Sequence, residues 1–238
     1  MSEQPSAEYS YQPLQPHHLA HDLRGPLNSM LGFTELLLDG IEGPLNDIQT
    51  EDLTAMWHSA QNLLNLINAY VDLSRLNAGQ LNLESSPVHP GDALRMVVKE
   101  LSATEAAANV TFEVVIPENL PSVAGDFNRV VQTIKLPAQF LVEALGHGTI
   151  SVGVDTAGNG VEFTLLAAAV SLPPAEFTEL FEQTVRVDAA GRARLSAGGI
   201  YLPLAYQLAL ALNGRLSVSS SPETGTAFSL SLPLFQAE

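Results

Sequence analysis

The sequence predicts an α+β protein in two parts: an antiparallel helical hairpin that dimerises into a four-helix bundle, then an α/β sandwich. Three observations predict it. Apolar residues recur at steps of three and four through the first third of the chain. Beyond about Ser85, short alternating runs appear between helical ones, separated by Gly- and Pro-bearing turns. Apolar residues make up 46% of the 238 and charged ones 15%, enough to build real cores and to exclude global disorder.

Residues 1–15 are polar and proline-bearing and are expected to be disordered. In the first helix Leu23, Leu27, Met30, Thr34, Leu37 and Ile41 form a seam, with Pro16 tolerated in the first turn and Gly40, Gly43 and Pro44 ending it. The second helix is expected to open at Thr50, whose side chain can cap, with Glu51 and Asp52 favoured by the helix dipole. Its seam runs Leu53, Met56/Trp57, Ala60, Leu63/Leu64, Ile67, Tyr70/Val71 and Ser74, and Asn77-Ala78-Gly79 closes it. Trp57, Phe33, Met30 and Met56 are expected in bundle packing. A lone hairpin cannot bury two apolar stripes, so residues 16–84 are read as a dimerising unit.

Residues 85–238 are read as the second domain. Pro87 and Pro90 mark a linker, followed by a helix over 91–107, a strand over 110–116 and a helix over 126–144 that Pro137 interrupts. Strands over 149–154 and 161–166 flank Gly158-Asn159-Gly160 as a hairpin. Helices are expected over 174–183 and 202–212, and strands over 215–219 and 226–232 flank Pro222-Glu223-Thr224-Gly225.

The absence of cysteine excludes disulfides, thiolate metal sites and a cysteine nucleophile. A formal charge of −16 argues against direct nucleic-acid binding, which needs Lys and Arg. No stretch reaches the roughly 20 apolar residues that cross a bilayer, and nothing reads as a signal segment. A cytoplasmic location without membrane contact is expected, with any signal arriving through a partner.

The stretch His21-Asp22-Leu23-Arg24-Gly25-Pro26-Leu27-Asn28 can carry chemistry. His21 falls just off the seam, so its ring should face water, where a neutral imidazole is a competent nucleophile. Asp22 can hold one ring nitrogen in its protonated form or accept its proton, leaving the other nitrogen to attack. Pro26 should loosen the helix one turn on. His17, His18 and His21 also stand at three- and four-residue spacings, but without further ligands they are not read as a metal site.

This stretch resembles the phosphoacceptor box of bacterial sensor histidine kinases, and Asp72-Leu73-Ser74-Arg75-Leu76-Asn77-Ala78-Gly79 is similar to the family's helix exit. The remainder looks like the family's ATPase domain: Gly125-Asp126 with Arg129 and Gln132, Leu172-Pro173-Pro174 through Leu180-Phe181-Glu182, Asn213-Gly214-Arg215-Leu216, and Gly225-Thr226-Ala227-Phe228 with Leu232-Pro233-Leu234. The resemblance implies that His21 is the phosphoacceptor, that Asp22 orients or deprotonates it, and that a receiver domain docks beside it. Arg24, Asn28 and Ser29 are the expected partner contacts, with Leu31 and Glu35 as additions. Arg24 is a candidate for the phosphoryl group itself, or for pairing with an acidic residue of the second helix.

Several positions depart from the family's pattern. Leu136 and Phe140, with Pro137 between them, stand where metal-binding asparagines are expected, and neither offers oxygen to a hard cation. Ala167, Ala169 and Ser171 replace an Asp-x-Gly-x-Gly turn. Of the glycine-rich phosphate loop only Ala197-Gly198-Gly199-Ile200-Tyr201-Leu202 remains, with Tyr201 in place of a glycine and Pro203 removing an amide. Gly25 replaces the Thr or Asn that orients water for phosphatase chemistry, so phosphatase activity should be weak. Arg186, Arg192 and Arg194 fall in the lid loop, read as solvated.

The resulting expectation is a homodimeric histidine phosphotransferase that exchanges phosphoryl groups between His21 and receiver aspartates. It would bind no cofactor and no ATP, with Mg²⁺ brought by the receiver. The alternative expectation is an inactive pseudokinase scaffold that docks a receiver or a kinase.

Overall fold

The structure is a computed structural model that describes residues 16–173, 180–182, 185–187, 193–195 and 199–236. The expected disorder of residues 1–15, most of the helix expected over 174–183, and Arg192 lie outside the described residues. The chain divides into two compact units between Ser74 and Arg75.

The first unit is the hairpin of α1 (Pro16–Leu38) and α2 (Asp47–Asn77). Ala20, Leu27 and Thr34 of α1 and Ala60, Ala69, Val71 and Leu73 of α2 are buried, following the helical period. The chain starts α2 earlier than expected. Asn46 caps it, accepting from the Gln49 amide at 2.9 Å while Gln49 Oε1 accepts from the Asn46 amide at 3.0 Å. This reciprocal pair satisfies two otherwise orphaned donors, so Asn46 rather than Thr50 sets the start. Thr50 Oγ1 instead donates back to the Asn46 carbonyl. Leu23, Met30, Phe33, Met56, Leu63 and Tyr70 stay exposed in the single chain, and Met30, Met56 and Leu63 edge a groove floored by Leu27 and Ala60.

The second unit is built on a five-stranded sheet. Its strands are β2 (Val110–Val115), β4 (Gly148–Ala157), β5 (Gly160–Ala167), β9 (Gly225–Pro233) and β8 (Arg215–Ser221), in the order β2-β4-β5-β9-β8. Only β2 and β4 are parallel. Helices α3 (Pro90–Ser102), α4 (Phe127–Leu145) and α5 (Tyr201–Ala211) pack against this sheet and one another. Alternate residues fill the core, such as Ile150, Val152 and Val154 from β4, Val161, Phe163 and Leu165 from β5, and Phe228, Leu230 and Leu232 from β9. A side chain at Gly160 would force the strands apart, because a Cβ there would lie 2.4 Å from the Leu232 carbonyl oxygen.

Two short pairings were not expected. The linker forms β1 (Ser86–Val88), antiparallel to β3 (Val123–Gly125). Within the lid loop, β6 (Val185–Val187) pairs with β7 (Ala193–Leu195), which sets Arg186 opposite Arg194 in register. Pro137 does not interrupt α4. The missing amide costs one helical bond, but Leu136, Pro137 and Ala138 are all buried, and that packing holds the helix continuous. Asp126 caps α4 by accepting from the Arg129 amide at 3.1 Å. No described helix is long and apolar enough to cross a membrane.

Candidate functional site

His21 projects from α1 with 86% of its side chain exposed, and the adjacent Asp22 is 80% exposed. His21 Nδ1 lies 3.5 Å from Asp22 Oδ1, the outer limit of a hydrogen bond. With the ring hydrogen on Nδ1, facing the carboxylate, Nε2 keeps its lone pair and points it at solvent. The arrangement supplies an accessible nitrogen nucleophile whose developing positive charge a neighbouring anion can stabilise.

One turn along, Arg24 is half-buried and reaches across to α2. Its Nε and Nη2 donate to Asn68 Oδ1 at 3.0 and 2.8 Å. The helix-two partner is therefore an amide and not the acidic residue expected. Two of five guanidinium donors are engaged, and three remain for other acceptors. Asn28, Ser29 and Glu35 are exposed and Leu31 half-buried. The Ser29 hydroxyl donates to the Gly25 carbonyl at 3.1 Å, so it is partly committed within the helix. A Cβ built on Gly25 meets nothing within 4 Å. Sequence reasoning missed Asn68, since an asparagine inside a long helix carries no signal of its own. Among the described residues no group of three or more His, Asp or Glu is placed to hold a metal, and the His17 side chain lies outside them.

In the second unit the inward side of α4 is hydrocarbon around residues 136–138. Leu136 and Pro137 are buried, and the Phe140 ring meets Phe228 edge-on at 5.9 Å. Phe181 stacks on Tyr206 at 5.2 Å and meets the other side of the cluster at Phe228. Ala167 is buried at the end of β5, and a Cβ on Gly225 would lie 2.4 Å from its carbonyl oxygen. Tyr201 opens α5, and burial, with the Glu143 carboxylate adding to it, pushes its phenol above the ordinary range.

Residues 17–79, which include His21, match the His Kinase A (phospho-acceptor) domain. Across nearly its whole length the chain is also similar to sensor kinases. It is 28% identical over 219 residues to the Sensor protein TorS of Escherichia coli K12, covering 91% of this chain and 23% of that protein. It is 29% identical over 217 residues to the Signal transduction histidine-protein kinase BarA of the same strain, covering 89% of this chain and 23% of BarA. Residues 17–79 match a phospho-acceptor domain, and the chain as a whole is similar to sensor histidine kinases. It spans about a quarter of the length of these curated relatives. The crystal structure of full-length ShkA in complex with AMPPNP shares the fold, with a TM-score of 0.72 at 24% identity over 94% of this chain and 46% of that one.

This similarity corrects three expectations. A histidine phosphotransferase independent of ATP is overturned, because the relatives matched over both units are kinases. The inactive scaffold finds no support among them either. The expectation of no nucleotide conflicts with kinase relatives and with a fold neighbour solved with AMPPNP. The physical reason for the error lies in its reach: the side chains absent at Leu136 and Phe140, at Ala167, Ala169 and Ser171, and at Tyr201 and Pro203 speak to particular contacts, not to every contact a nucleotide makes. For a metal the fit is indeed poor, since Leu136, Pro137 and Phe140 offer it no ligand.

Proposed function

We propose that this chain is the core of a two-component histidine kinase in which His21 is the residue phosphorylated and a receiver domain takes the phosphoryl group onward. The observation that carries this reading is the position of His21, 86% exposed within the matched phospho-acceptor segment and flanked by Asp22. Nε2 forms the bond to phosphorus as the bond to the donor's oxygen breaks, and Asp22 stabilises the Nδ1–H of the charged ring. Similarity to kinases makes a nucleoside triphosphate the expected donor, and Leu136, Pro137 and Phe140 supply no ligand to a metal on its phosphates. Arg24, Asn28 and Ser29 form the surface offered to the receiver, an acidic domain that Arg24's remaining donors suit.

Two copies are expected to associate through the hairpin, closing the groove edged by Met30, Met56 and Leu63. The test is incubation of the purified chain with γ-labelled ATP and Mg²⁺, followed by a receiver chase. Acid-labile, alkali-stable label that disappears in His21→Gln supports the proposal. A folded chain that takes no label, or takes it away from His21, overturns it.

A further inference from the structure

α1 is weakest immediately after Arg24. Pro26 has no amide hydrogen, so the Asp22 carbonyl lacks its helical partner. Gly25 adds backbone freedom worth about 1 kcal/mol relative to alanine. The Ser29 hydroxyl bonds back to the Gly25 carbonyl, a geometry that bends helices. On the far side of this weak point stands the segment that bears His21. Its apolar anchoring is thin: Ala20 is buried, but Leu19 and Leu23 are exposed.

Against that background, the geometry points to Asn68 as a positioning residue. Its Oδ1 accepts both Nε and Nη2 of Arg24, gripping α1 on the His21 side of the weak point and holding it to α2. Bonds to a charged donor are the stronger kind, and a two-pronged one fixes direction as well as distance. The latch therefore sets how the His21 ring is presented. Asn68 touches neither the ring nor a reacting atom; it acts through Arg24. This inference rests on the reading of His21 as the phosphoacceptor.

The test uses the full chain with three variants. Asn68→Leu keeps the volume and removes the acceptor, Asn68→Asp keeps an acceptor, and Arg24→Met breaks the latch from the other side. Hydrogen exchange should rise about tenfold over residues 18–24 in Asn68→Leu and Arg24→Met, with residues 27–38 unchanged. Asn68→Asp should exchange as the parent does. The rate of His21 labelling should fall about tenfold in the first two variants and recover to within about twofold in Asn68→Asp. The double variant Arg24→Met/Asn68→Leu should be no worse than either single one. Unchanged exchange over 18–24, or a rise spread evenly through α1 and α2, overturns the latch. Exchange needs no phosphate, so failure to label the parent chain strikes the functional reading alone.

Discussion

Thr226 Oγ1 donates to the carbonyl of Val170 at 2.8 Å from a fully buried position, tying β9 to the chain that follows β5. The bond matters because Val170 is itself buried. Thr226→Val keeps the shape and leaves that acceptor unpaired, so unfolding free energy from urea titration should fall by about 1–3 kcal/mol. Thr226→Ser, which keeps the hydroxyl, should lose less. Equal stability of the valine variant and the parent would refute the assignment.

Gly25 and Gly160 should respond to alanine in opposite senses. A Cβ on Gly25 enters open space in a helix, so Gly25→Ala should stabilise the hairpin by about 0.5–1 kcal/mol. A Cβ on Gly160 meets backbone at 2.4 Å and must push β5 off β9, so thermal unfolding should come at lower temperature. Differential scanning calorimetry on both variants reads the two signs directly.

Because Gly25 has room for a side chain, the hydroxyl that the histidine-kinase resemblance leads one to expect there can be introduced. Gly25→Thr should raise dephosphorylation of a phosphorylated receiver by roughly tenfold or more over a weak parent activity, in line with general acid–base and positioning effects. A parent already as active as the variant would show that phosphatase chemistry does not depend on this position.

The hydrocarbon face of α4 predicts an unusual metal dependence. With Leu136, Pro137 and Phe140 offering no oxygen, chelation of Mg²⁺ should change ATP affinity by less than about threefold in calorimetric titration. A loss of a hundredfold on adding EDTA would place metal ligands elsewhere in the unit.

Tyr201 predicts a behaviour at alkaline pH. Burial first, and Glu143 second, raise its phenol pKa above the ordinary 10.0. An acid whose folded pKa is raised contributes stability that is present below the unfolded value and lost as pH climbs through the folded one. Stability should therefore decline above about pH 10, and Tyr201→Phe should flatten that decline. Urea midpoints between pH 8 and 11 measure it; identical slopes would remove Tyr201 from the account.

Much of this architecture was legible because burial imposes a period. The alternation in β4, β5 and β9 reported a buried face, whereas of the apolar seam in α1 only Leu27 and Thr34 are buried in the single chain and Leu23, Met30 and Ile41 are exposed. What lacked a period went unseen. β1 and β3 are three residues each, and Pro87 in β1 argues locally for a linker. Thr50 and Asn46 are both capping types, and only the reciprocal bond with Gln49 chooses between them. At the site, His21 and Asp22 were readable from residue chemistry, whereas Asn68 depends on a contact across 44 positions of sequence. Nucleotide binding was not legible from single positions: Leu136, Ala167 and Tyr201 each depart from a kinase pattern, yet the chain as a whole is similar to kinases.

The strand order has a consequence for synthesis. β9 is the last strand of the sheet to leave the ribosome, yet it lies between β5 and β8. Until residues 225–233 emerge, β5 presents an open edge and β8 has no neighbour to zip against. The nascent second unit thus waits on its final stretch, and a stalled or clipped product would invite capture by chaperones or association with other chains.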